Sequence, residues 1–422
     1  MRPRLELALF LLLLGLASCA PSREEGITVT FPASVVGREG EVLRAQLRRF
    51  MAEHPGIRVV VQETPDAADE RRQLYVQWLN AHAPDPDVLQ LDVIWTAEFA
   101  AAGWIAPLDS LGPIPPEELE DFFEPCVRAN RWRGRLYALP WFVDVGMLYF
   151  RTDLVESAPR SFSELVRQAR EGRREGVRYG IVWQGARYEG LVTVFLEHLA
   201  AFGGEILDRE GGVRVDSPEA LAALRAMTDA VRSGVVPREA LTWHEEETRL
   251  VFQRGEAVFL RNWPYALPLL SDGKRSAVAG RFSVTPFPPA EGGRPAAALG
   301  GAQLAVNARS DVPEAAFAVV RYLTAPERML ERARATGQFP ARRSLYRDPR
   351  LARALGIPPK TALRVVEHAV PRPVTPVYNE LSEILQIHLH RALLGSEEPE
   401  VALARAAGKI RALLRRAALL RN

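Results

Sequence analysis

Val42, Leu43, Leu47, Phe50 and Met51 recur at helical spacing in "EVLRAQLRRFMAEH" (41–54) and fall mostly on one face. This predicts an amphipathic helix, ended by Pro55-Gly56. The runs on either side, "ITVTFPA" (27–33) and "IRVVVQE" (57–63), are short and β-branched and read as strands. "DERRQLYVQWLNAH" (69–82) returns to a helical pattern. "DVLQLDVIW" (87–95) is mostly apolar, as befits a strand covered on both faces, and "EFAAAGW" (98–104) is helical again. Strand and helix alternate, so the pattern predicts a parallel sheet wrapped by helices with right-handed crossovers.

"RLYALPWFVDVGMLYFR" (135–151) breaks the alternation. It is long and extended, with Pro140 in its middle, which suits a strand leaving one sheet for another. A second α/β stretch follows. Ser161 with Glu164 opens a helix over 161–172, "YGIVWQG" is a strand, and "YEGLVTVFLEHLAAFGG" (188–204) is a helix closed by glycine. Ser217 and Pro218 start another helix over 217–234. "RFSVTPFPP" (281–289) reads as a second crossing, and the helix–Pro326–helix pattern of 315–337 as the place for a third. A chain that passes several times between two lobes forms a hinge that bends without unfolding either.

Before this fold stand a basic start (Arg2, Arg4), an apolar run from Leu7 to Leu14, and Leu16-Ala17-Ser18-Cys19. The apolar run is shorter than the roughly 20 residues needed to span a bilayer and matches a secretory signal. Its end resembles a lipobox, in which the Cys19 thiol takes the lipid and becomes the first residue. Residues 1–18 are then a lipoprotein signal peptide and 19–26 a flexible polar tether. Lipidation of Cys19 leaves Cys126 without a partner, so the fold lies outside the cytoplasm yet uses no disulfide.

The 422 residues exceed the length of most single cores. The net charge of +2 exerts no global pull toward nucleic acid. Removing residues 1–18 takes away Arg2, Arg4 and Glu6 and leaves +1. His388 and His390 in "IHLH" do not share a helix face, and "WHEEE" lacks the second histidine of a zinc helix, so no metal site is expected. No nucleophile elbow and no phosphate loop appear. The basic, amphipathic C-terminal "KIRALLRRAALLRN" reads as a final helix packing on its lobe.

Candidate chemistry rests on carboxylates and aromatics. Asp144 interrupts an apolar run, which is costly in a core strand unless the charge is paired or faces a cleft. Asp92 stands beside "VIW" and Glu41 at a predicted helix start. Trp263 and Tyr265 flank a proline in "RNWPYA". Such rings pack in cores with their polar tips paired, or they cover the C–H face of a sugar while acids, arginines and amides take its hydroxyls. The pattern alone leaves both open.

Eight ordered segments resemble the extracellular solute-binding proteins of ABC importers, in the branch typified by trehalose/maltose-binding proteins. They are "GEV" (40–42), "DERRQL", "DPDVLQLDVIWTAEFAAAGWIAPLD", "LYALPWFVDVGMLYFR", "VWQGARYEGLV", "RNWPYA", "ALGG" and "AVPRPVTPVYNELSEILQ". The resemblance implies a two-lobed α/β periplasmic-binding-protein fold of type II, with a multi-crossover hinge and an interlobe cleft. It puts 27–143 plus about 286–325 in lobe 1 and 144–285 plus about 326–422 in lobe 2. It implies ligand contacts at Glu41, Arg71 and Asp92 from the first lobe and Asp144, Trp263, Tyr265 and Arg372 from the second, with Gly301 where backbone nears the ligand. Three positions depart from the family: Phe142 stands for a tyrosine, Ala302, followed by Gln303, for an aromatic after the glycine pair, and Phe339 for a tryptophan. Phe142, Gln303 and Phe339 therefore join the candidate site, and a trehalose/maltose preference does not follow.

The expected protein is a monomeric, lipid-anchored, cofactor-free receptor that hands a di- or oligosaccharide to permease subunits driven by a cytoplasmic ATPase. The alternatives are an exported glycoside hydrolase, since paired carboxylates and aromatic walls also serve that reaction, and a receptor for a sugar acid or other solute.

Overall fold

A computed structural model of the chain describes residues 26–33, 37–65 and 68–419. The signal peptide, Cys19 and nearly all of the tether lie outside the described residues. Strands β1 (Ile27–Ala33) and β2 (Ile57–Glu63) pair in parallel across helix α1 (Gly37–Glu53), and helix α2 (Ala68–Asn80) leads to β3 (Val88–Asp92). Beyond α3 (Thr96–Ala101), β4 (Ala138–Val145) and β5 (Met147–Arg151) follow one another with only Gly146 between them.

β1 and β2 form a two-stranded sheet of their own, and β4 belongs with β3 to the first large sheet, where it runs antiparallel to the later strand β9 (Ala297–Val306). β5 belongs to the second sheet, whose order is β8 (Phe282–Thr285), β5, β7 (Ala257–Asn262), β6 (Tyr179–Val182). The chain therefore changes sheet at Gly146. Pro140, where the sequence suggests the break, sits at an irregularity of the β4–β9 ladder: Ala302 faces Phe142, Gln303 faces Pro140, and Trp141 is the extra residue. A proline, which lacks an N–H, fits such a bulge. The sheets are also mixed rather than parallel, because strands returning from the other lobe enter against the direction of those already there. β3 is antiparallel to β9, and β5 is antiparallel to both its neighbours.

The second passage lies between β8 and β9, as the proline-marked segment 281–289 suggests. Pro326 does not mark a third. It is the first residue of a new helix, α10 (Pro326–Thr336), which packs on α1 beside α9 (Pro313–Leu323) on the first-sheet side. The chain passes later, where a helix over Pro359–Glu367 touches β8 and β4 and where β10 (Ala369–Val370) pairs with the start of β9. It ends in α11 (Tyr378–Leu394) and α12 (Pro399–Leu419), which pack on α5 (Glu189–Ala201) and α6 (Pro218–Arg232).

Both large sheets are apolar on their two faces. One cluster runs from α1 and α10 through the hinge to Tyr149 and Leu260, a second joins the other face of the second sheet to α5, α6, α11 and α12, and a third gathers Tyr75, Trp95 and Phe99 behind β3. Helix α4 (Phe162–Glu171) begins as read from sequence: the Ser161 hydroxyl accepts the Glu164 N–H at 3.2 Å. Among the described residues, no helix is long and apolar enough to cross a membrane.

Candidate functional site

The strand crossings bring an acid and an indole to the same point. Asp144 is the second-last residue of β4 and pairs in register with Gly300 of β9. A Cβ at Gly300 would lie 3.4 Å from Asp144 Cβ and 3.4 Å from Trp263 Cζ3. Gly300 is thus a floor with a carboxylate on one side and a ring edge on the other. Trp263 is part-exposed and Tyr265 is 38% exposed, so neither ring is sealed in a core.

The segment carrying these rings is held firmly. The Tyr149 hydroxyl donates to the Trp263 carbonyl at 2.7 Å, and the Trp263 N–H donates to Asn262 Oδ1 at 2.8 Å. Helix α7 (Glu245–Gln253) supplies acids for the polar tips: Trp263 Nε1 donates to Glu245 at 3.3 Å and the Tyr265 hydroxyl to Glu246 at 2.7 Å. Tyr188, before α5, stands beside this group with its ring 4.4 Å from that of His244. Its hydroxyl is held well above the usual phenol range, by burial first and then by the Glu245 carboxylate.

On the first-lobe side, Glu39 on α1 pairs with Arg332 of α10 at 3.0 Å. The Arg332 guanidinium lies over Trp141 and Phe142, 4.0 and 4.9 Å from the ring centres. Burial pushes the Asp144 carboxyl up to about 7, the Glu39 and Asp92 carboxylates push it the same way, and Arg332 opposes them. The Asp144 carboxylate has no hydrogen bond among the described residues. Asp92 accepts the Ile94 N–H at 3.1 Å and lies 3.5 Å from Arg372, whose other nitrogen meets Glu189 at 2.8 Å. Two groups of contacts therefore border the strand crossing: Asp92–Arg372–Glu189 on one side, and Trp263 with Glu245 beside Tyr188 on the other, with Asp144 and Gly300 next to the Trp263 ring edge.

Five of the sequence-derived site residues, Asp92, Asp144, Trp263, Tyr265 and Arg372, fall in these two groups or next to them. Glu41 is exposed on α1, and it is Glu39, two residues earlier, that meets Arg332. Arg71 donates to the Pro65 carbonyl at 3.2 Å and lies 5.9 Å from the Trp95 ring centre. Gly301 has φ +109°, and a Cβ there would fall 2.3 Å from the Phe142 carbonyl oxygen, so the close approach it permits is that of β4.

Three expectations need correction. Phe142 is buried beneath Arg332. Gln303 is buried and accepts from Asn130 at 2.7 Å, on the same face of β9 as Ala305, which packs behind β3. Phe339 is fully buried, with its carbonyl accepting the Val143 N–H at 2.8 Å. None of the three replaces the missing stacking platform.

Sequence reasoning missed Glu39, Tyr188, Glu189, Glu197, Glu245 and Arg332. One signal was present: Glu197 is a lone acid in the apolar helix run "LVTVFLEHLAAF", which calls for a buried partner.

Residues 34–329 match the model of the bacterial extracellular solute-binding proteins, and the chain belongs to that family. It is 35% identical over 420 residues, 95% of this chain and 97% of the relative, to a probable ABC transporter-binding protein of Deinococcus radiodurans. Maltose-bound MalE3 of T. maritima is 41% identical and superposes with a TM-score of 0.79, covering 92% of this chain and 100% of that one. The GacH receptor of Streptomyces glaucescens, solved unliganded and with acarbose, is 26% identical with a TM-score of 0.79 over 92% and 99%. The fold is that of a two-lobed solute-binding protein, and the chain is a binding protein rather than a hydrolase.

Proposed function

We propose that this protein is the substrate-binding lipoprotein of an ABC sugar importer. It takes a neutral di- or oligosaccharide of the maltose class between its lobes and presents it to the permease, whose cytoplasmic ATPase drives transport. It acts as a monomer, held to the outer side of a bacterial membrane by lipid on Cys19. The observation that carries the reading is the Asp144–Gly300–Trp263 arrangement. An indole covers the C–H face of a pyranose, a carboxylate accepts from its hydroxyls, and a glycine leaves room between them.

Charge favours a neutral ligand over a sugar acid. Arg372 pairs with Asp92 and Glu189, Arg261 with Glu197 and Arg249 with Glu246, while Arg332 pairs with Glu39 through one nitrogen and lies buried over Trp141 and Phe142. Asp144 and Glu245 keep acceptor positions free, so an anion entering here meets carboxylates first. Binding is closure: contacts to both lobes form together only in the closed state, and ligand shifts the equilibrium toward it.

The test is a thermal-shift panel of maltose, maltotriose, trehalose, glucose and glucuronic acid. A neutral glucoside at a hundredfold excess over its Kd stabilises by about 2.7 kcal/mol, and glucuronic acid leaves the melting point unmoved. Trp263→Ala abolishes the shift. A shift from glucuronic acid alone, or undiminished binding by Trp263→Ala, overturns the reading.

A further inference from the structure

A buried ion pair lies beneath the cleft rather than in it. Glu197 of α5 accepts Arg261 Nε at 3.1 and 3.0 Å and Nη2 at 2.6 Å, with side chains 1% and 2% exposed. Arg261 also donates to Gln184 at 3.1 Å. A pair so enclosed is weak grounds for stability, since apolar residues of similar volume would serve the core as well. Its neighbours point to another role.

The pair touches both strand crossings. Glu197 Oε1 accepts the N–H of Ala298, at the start of β9, at 3.0 Å. At Gly146, where β4 becomes β5, a Cβ would fall 1.8 Å from Glu197 Oε1 and 2.4 Å from Arg261 Nη2. The Gly146 N–H in turn donates to the Ala298 carbonyl at 2.9 Å. On its other side the Arg261 guanidinium stacks on the indole of Trp263, 4.1 Å from the ring centre. The carboxylate grips the edge of the guanidinium and the indole covers its face, so the three form one chain of contacts running from the hinge strands to Trp263.

We propose that Glu197 and Arg261 are positioning residues that fix the plane of the Trp263 indole relative to the two strand crossings. A planar guanidinium held by a carboxylate fork has one orientation, and a ring stacked on it inherits that orientation. This inference rests on the carbohydrate reading of the cleft. Neither residue touches the sugar. They act through Trp263, which meets the ligand already aligned to the segment about which the lobes turn.

A double-mutant cycle tests this. Arg261→Lys keeps the charge but loses the plane and the fork. Maltose affinity is measured by calorimetry in the wild type, Arg261→Lys, Trp263→Phe and the double variant, with the melting point recorded for each. Arg261→Lys is expected to weaken maltose at least tenfold in the wild-type background and less than twofold when Phe occupies 263. Glu197→Gln, of nearly the same shape, repeats the cycle independently. Additive losses, or a lowered melting point with unchanged maltose affinity, overturn the proposal, as does failure of both Arg261→Lys and Glu197→Gln to fold, which would assign the pair to the fold alone. A wild-type chain that binds none of maltose, maltotriose and trehalose overturns the carbohydrate reading itself, an outcome visible before any variant is made.

Discussion

Asp144 is the side chain in this cleft most responsive to pH. Its carboxyl, ordinarily near 3.8, is pushed up to about 7 by burial and by the Glu39 and Asp92 carboxylates. In the free protein it favours the fold while protonated. That contribution is fully present below pH 3.8 and lost as pH rises through about 7. Sugar hydroxyls reverse the preference, because hydrogen bonds donated to the ionised form stabilise it. Binding therefore releases a proton at pH 6 and none at pH 8. Maltose affinity is expected to rise by up to about tenfold per pH unit below 7 and to level off above it. Calorimetry in two buffers of different ionisation enthalpy checks the proton release. Asp144→Asn should flatten the profile, and a wild-type affinity unchanged between pH 5.5 and 8 would remove Asp144 from the ligand shell. Cys126 lies at the other extreme. Burial pushes its thiol up to about 12, which makes it a core residue rather than a reactive one.

β9 illustrates at the scale of one element what a sequence discloses and what it hides. Its glycine pair is plain to read, but the reason for Gly301 is not. With φ +109° and a Cβ position 2.3 Å from the Phe142 carbonyl, Gly301 serves the strand pairing. Gly301→Ala is expected to destabilise the fold by roughly 2–4 kcal/mol through backbone strain and forced separation of β4 and β9, read as a lower urea midpoint, with maltose affinity of the folded fraction held within about threefold of wild type. Loss of affinity at unchanged stability would return Gly301 to the ligand. The strands over 27–33 and 57–63 and the Ser161 cap were legible because each depends on residues close in sequence. Gln303 and Phe339 were not, because a resemblance carries a place along the chain but not a face of the strand. Gln303 lies on the face of β9 that meets Asn130, and Phe339 is held by its backbone carbonyl against Val143. The Glu39–Arg332 pair, joining residues 293 positions apart, leaves no local trace at all.

The whole molecule depends on how its lobes are held relative to one another, and one contact outside the cleft bears on that. Glu98 of α3 is bound by Arg72 of α2 at 3.0 Å, within the first lobe. The same carboxylate accepts Asn379 of α11 at 3.0 Å, and α11 packs on α5 of the second. Arg372, reaching both Glu189 and Asp92, bridges the lobes as well, but it borders the cleft, so its substitution would disturb binding directly. Asn379 offers a cleaner test. Removing one hydrogen bond to a charged group costs about 1.5–3 kcal/mol when the bond is fully made. If the Asn379–Glu98 contact favours the arrangement that grips the sugar, Asn379→Ala shifts the unliganded population toward wider opening and taxes the apparent affinity by the lost fraction of competent molecules. The expected result is a maltose affinity weakened by roughly tenfold, a larger radius of gyration by small-angle scattering without sugar, and a return to the wild-type radius at saturation. The return is the decisive part. Damage to the fold would leave the radius enlarged with and without maltose, whereas a shifted equilibrium is one that enough ligand can always restore.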